Sequence, residues 1–180
     1  LEARLPGGRA QVLDTHSGRD ALIRNVVDPL VRRYGIAGER ADLGNQILAF
    51  ELMNEPDFIV EEWERDLSTH VTRPLRFEML AELVSRTNEL VHLHTRALST
   101  MAAARMDNLW AWSDPELGVD FVQVHSYPDV KVPERDTDVF GMPAASLGIA
   151  RPVVLGEFPG KAPERCPAGS SPPPTTLGQY

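Results

Sequence analysis

The sequence predicts an α/β domain organised on a parallel sheet, and three observations carry that prediction. The run 47–53 (ILAFELM) is apolar on both faces, as in a parallel strand covered on two sides. Two segments, 19–34 and 74–96, carry apolar stripes at helical spacing. Further strand-like runs follow at 98–104, 119–127 and Val153–Glu157, and strands that alternate with helices imply βαβ units.

From the N-terminus, residues 1–18 read as a loop, with Pro6, Gly7, Gly8 and Gly18 and no sustained period. Residues 19–34 align Leu22, Ile23, Val26, Val27, Leu30, Val31 and Tyr34, and Gly35 ends the helix. Pro29 falls inside that stripe, where its missing N–H and its ring predict a kink or break near Asp28. The acidic segment 58–73 around Trp63 reads as a long loop with one helical turn. The clearest helix, 74–96, is opened by Thr72 and Pro74 and striped by Leu75, Met79, Leu80, Leu83, Val84, Thr87, Leu90 and Val91. Residues 107–117, with Trp110 and Trp112, read as a turn or short helix, and 131–150 as a charged loop with a short helix near 143–147. Residues 160–180 are rich in proline, glycine and serine and read as a flexible loop leading into a helix at Leu177. The whole is one domain, 1–180, with its core at 19–159.

Composition narrows the function classes. At 180 residues and 42% hydrophobic, the chain can bury one ordinary core. A net charge of -8 and a pI of 5.1 argue against nucleic acid or an anionic membrane as partner, and suit a neutral substrate. No apolar run approaches the roughly eighteen residues of a spanning helix, and LEARLPGGRA lacks the regions of a signal peptide. Localisation stays open, with secretion of a longer protein compatible. Cys166 is the single cysteine, which excludes an internal disulfide and a cysteine-based metal site.

Two apolar runs end in acids: 47–53 leads into Asn54-Glu55-Pro56, and Val153–Glu157 closes on Gly156-Glu157. By strand alternation Glu55 shares its side with Met53 and Glu51, Glu157 with Leu155 and Val153, and His125 with Tyr127. On neighbouring strands of a parallel barrel, Glu55, His125, Tyr127 and Glu157 would converge at the carboxyl-terminal mouth, where such barrels keep their active sites. Two carboxyl groups about 5–5.5 Å apart are what a retaining glycosidase needs.

Asn54-Glu55-Pro56, His125-Ser126-Tyr127 and Gly156-Glu157-Phe158, in this order at three strand ends, resemble clan A glycoside hydrolases, particularly the family 5 cellulase and mannanase group. The resemblance implies a partial (β/α)8 barrel, strands four to seven with their helices, and hydrolysis of a β-linked glucan or mannan by double displacement. It makes Glu55 the acid/base and Glu157 the nucleophile. It also puts Asn54 on the sugar 2-hydroxyl, Tyr127 on the nucleophile carboxylate and His125 in the same subsite. No cofactor or metal is implied, and the partner is a carbohydrate. A complete barrel needs about 250 residues, so this chain is expected to be weakly active or inactive alone and to self-associate through exposed sheet edges.

Several residues keep a second reading. His125 also suits a hydrogen-bonded barrel histidine and Tyr127 a packing residue. Trp63 is either a sugar-stacking platform or a cover for apolar surface, and Trp110 and Trp112 suit a core or interface. Glu51 points into the predicted barrel and is read as a buried structural partner. His92 and His94, two apart on a helix, face different directions and share no metal. A non-catalytic carbohydrate-binding or structural remnant is the alternative function, and a metal-dependent hydrolase a third, for which no histidine and aspartate ligand set is recognisable.

Overall fold

The computed structural model describes residues 12–66, 74–126 and 144–158. Tyr127, Thr72 and the loop 160–180 with its helix at Leu177 lie outside the described residues.

Four strands, β1 (Ala49–Asn54), β2 (Leu98–Ala103), β3 (Phe121–His125) and β4 (Val153–Glu157), form one parallel sheet in the order β1-β2-β3-β4. All four predicted strands are present, and β4 has the predicted bounds. The fold is α/β.

Helices α1 (His16–Leu22) and α2 (Asp28–Arg33) are joined by a π-helical segment, Ile23–Val27. The helix begins before residue 19, because Thr15 caps it by accepting a hydrogen bond from the Gly18 amide at 3.0 Å. Nor does Pro29 break it. The widened turn carries the Asp28 amide to the Ile23 carbonyl, five residues back, which makes room for a ring that would clash in a regular α-turn. A short α3 (Ala41–Gly44) leads into β1.

Helix α4 (Phe77–His94) crosses from β1 to β2. Its first amide, that of Phe77, donates to the Glu62 carboxylate at 2.8 Å, so the acidic segment supplies the anion that suits a helix N-terminus. That segment is more ordered than a plain loop: it holds 3-10 turns at Pro56–Ile59 and Glu61–Asp66 and a parallel bridge between Val60 and Leu75. Between β2 and β3 lie a single helical turn, α5 (Leu109–Trp112), and a 3-10 turn, Pro115–Leu117. The short helix before β4 is the 3-10 turn Ala144–Leu147.

The core lies on one face of the sheet. Met101 and Ala103 of β2 and Val122 and Val124 of β3 alternate onto that face and pack with Leu80 and Val84 of α4 and Leu109 and Trp112 of α5. The two-sided cover expected of the run 47–53 belongs instead to β2, where Ser99 to Ala103 are all buried. β1 is an edge strand, with Glu51 and Asn54 exposed. Glu51 is therefore no buried partner; it accepts a hydrogen bond from Gln123 Nε2 at 3.0 Å on the open face. Gly156 leaves room for that side chain, since a Cβ there would stand 2.5 Å from Gln123 Oε1.

A charged cluster ties α1 to α4. The buried Arg19 bonds Glu82 at 2.6 Å and the Leu13 carbonyl at 2.8 Å, and Arg86 bonds Glu82 and Asp20.

Candidate active site

Three predicted site residues meet at the carboxyl ends of the strands. His125, the last residue of β3 and only 3% exposed, directs Nδ1 to Glu55 Oε1 at 2.8 Å and to Glu157 Oε2 at 3.4 Å. One carboxylate oxygen from each glutamate and the imidazole nitrogen all lie within 4.8 Å of one another. Glu55 is part-buried and Glu157 more open, with side-chain exposures of 23% and 43%.

Simple strand alternation does not produce this meeting. Alternation puts Glu157 on the side of Val153 and Leu155, yet both of those pack against the helix-side core. A bulge in β4 intervenes: Val124 pairs with Leu155, but His125 pairs with Glu157, so the extra residue Gly156 turns the glutamate to His125. A second irregularity falls in β1, where Glu51 pairs with Thr100 and Asn54 with Ala102, three residues against two. Glu55 follows directly. Its backbone is left-handed (φ 44, ψ 51), alone among the described non-glycine residues, and its amide donates to the Ala102 carbonyl at 3.1 Å. Such a conformation costs on the order of 1–2 kcal/mol and concentrates at functional sites.

The other candidates separate. Asn54 is exposed at the end of β1 and, with Glu55, Met53 and Phe58, lines an open cleft of about 440 Å³. Trp63 joins the aromatic cluster over the core: its ring packs 5.6 Å from Phe77 and edge-on to Trp112 at 5.5 Å. Trp112 is fully buried in that cluster, whereas Trp110 is 67% exposed.

Asp57, two residues beyond Glu55, is a structural acid that sequence reasoning missed. It is fully buried, accepting from Trp112 Nε1 at 3.0 Å and from Asn108 Nδ2 and the Arg105 amide at 3.2 Å. Burial pushes its carboxyl above the usual aspartate range, and the hydrogen bonds from Trp112 and Asn108 only partly oppose that. The one local signal is its place directly after Pro56; its partners lie about fifty residues away. By fastening the turn after Glu55 to the β2–α5 connection, it holds the candidate acid from behind.

Comparison of the chain with protein-family profiles, curated proteins and solved structures returns no match.

Proposed function

We propose that this chain is a retaining glycoside hydrolase of the clan A type, built on strands four to seven of a (β/α)8 barrel and acting on a β-linked glucan, mannan or related glycoside. The observation that carries this reading is the proximity of the Glu55 and Glu157 carboxylates, with oxygens inside 4.8 Å. That spacing suits the roughly 5–5.5 Å carboxyl separation of a retaining enzyme better than the roughly 6.5–9.5 Å of an inverting one.

The sheet supports the barrel part of the reading. Its strands follow chain order without the reversal of a doubly wound sheet, and Glu55, His125 and Glu157 all stand at carboxyl ends. Leu48, 77% exposed beside the β1 edge, suits association with another barrel segment or a second copy.

In this mechanism Glu157 attacks the anomeric carbon while Glu55 protonates the leaving oxygen. Glu55 then takes a proton from the water that releases the sugar from Glu157. His125 is a positioning residue whose Nδ1 faces both carboxylates. Asn54 is assigned to the sugar 2-hydroxyl and Tyr127 to the nucleophile.

Hydrolysis of dinitrophenyl β-glycosides tests this. Turnover slower than that of a complete barrel is expected, abolished by Glu157→Gln, whereas Glu55→Gln still cleaves the activated substrate but loses substrates with poor leaving groups. Wild-type turnover no greater than that of Glu157→Gln contradicts the reading and favours a non-catalytic carbohydrate-binding remnant.

A further inference from the structure

We propose that Glu55, His125 and Glu157 also form a site for a divalent transition cation of the Zn2+ type. Zinc holds imidazole nitrogen and carboxylate oxygen at about 2.0–2.2 Å, so adjacent ligand atoms of a tetrahedron stand about 3.3 Å apart. The distances here, 2.8 and 3.4 Å from Nδ1 to the two carboxylate oxygens, with all three atoms inside 4.8 Å, need only small side-chain adjustment to enclose such an ion. No other group of histidine and carboxylates among the described residues meets this geometry.

Two features favour a cation here. The imidazole is buried at the end of β3, so its nitrogen is held in place between two carboxylates from β4 and the end of β1. Both carboxylates can supply negative charge to the same point, which suits a dication better than a single shared proton does. One imidazole with two carboxylates selects a borderline ion over Mg2+ or Ca2+, which prefer oxygen alone. His16 is a poor competitor: its partners Asp20 and Glu82 are already engaged by Arg86 and Arg19.

The bound ion would occupy both the acid/base and the nucleophile. It would therefore inhibit turnover, and this consequence rests on the glycosidase reading, whereas binding itself does not.

Calorimetric titration of the full chain with ZnCl2, without sugar, tests the site. One equivalent is expected to bind, at least tenfold more weakly in Glu157→Gln and in Glu55→Gln, unchanged in His16→Ala, and at least tenfold more weakly with MgCl2 in place of ZnCl2. Circular dichroism confirms folding of each variant; Glu157, being open, keeps the test valid if Glu55→Gln fails to fold. Absence of binding at millimolar Zn2+, or binding unaffected by Glu157→Gln, overturns the site. Zn2+ binding by a chain without turnover upholds the site and removes the glycosidase reading; turnover with no Zn2+ binding does the reverse.

Discussion

Glu55 reaches His125 from a left-handed backbone, its Oε1 2.8 Å from the imidazole Nδ1 across the carboxyl end of the intervening strand β2. A strained residue is thus held where its side chain meets a buried partner from the next strand but one. Local stability is given up at that position for the placement of a carboxylate.

That cost is measurable by comparing two truncations. Glu55→Ala and Glu55→Gly both remove the carboxylate, but only glycine adopts positive φ freely. In urea unfolding, Glu55→Gly is expected to be more stable than Glu55→Ala by about 1 kcal/mol. Equal or reversed stabilities would show that the position carries no strain.

Asp57 is a second test of the same turn. Asp57→Ala removes the acceptor of the buried Trp112 indole N–H and one acceptor of the Asn108 amide. A loss of about 2–4 kcal/mol is expected from unfolding midpoints, since each unsatisfied buried donor costs about 1–3 kcal/mol. A loss below 1 kcal/mol would mean these bonds contribute little.

Trp63 separates packing from recognition. Its contacts with Phe77 and Trp112 predict that Trp63→Ala costs about 2 kcal/mol, part of the 3–5 kcal/mol of a fully buried aromatic, and leaves oligosaccharide affinity unchanged. Weakened sugar binding at unaltered stability would restore the stacking-platform reading.

Acid sensitivity follows from carboxylates held below their usual range. For Asp20 the cause is its hydrogen bond from Arg86, and for Glu82 that from Arg19. At Asp120 burial works upward but is outweighed by bonds from the Ser99 amide and His92. Depressed folded values mean that the unfolded chain binds more protons. Their stabilisation is therefore complete above the unfolded carboxyl range near about pH 4 and is lost as pH falls through it. Asp57, shifted upward, acts in the opposite sense: its contribution is present below the unfolded carboxyl range and is lost as pH rises from there through its raised folded value. Thermal midpoints are expected to fall between about pH 5 and pH 3, less steeply in Asp120→Asn. An identical slope in that variant would remove Asp120 from the account.

The strand positions were legible because two-residue alternation and apolar runs are local signals, and β4 emerged residue for residue. Helix α4 was legible through its stripe, but its N-terminal anion was not, because Glu62 lies fifteen residues before Phe77. At Pro29 the sequence predicts disruption; whether that becomes a break or a π turn depends on packing at Ile23 and Val31, both buried. Alternation identified the correct strand ends, but bulges in β1 and β4 undo the alternation before it reaches Glu55 and Glu157. A bulge depends on cross-strand register, and Gly156 was its only visible trace. Asp57 was not legible, because its partners Arg105, Asn108 and Trp112 are distant in sequence.

The central claim is that Glu157 is a glycosidic nucleophile, and covalent trapping tests it most directly. Incubation with a 2-deoxy-2-fluoro-β-glycosyl fluoride of the gluco or manno series, followed by peptide mass spectrometry, is expected to add one fluorosugar to Glu157, and none in Glu157→Gln. A label on another residue, or no label in a chain that nonetheless turns over the parent glycoside, would contradict the account.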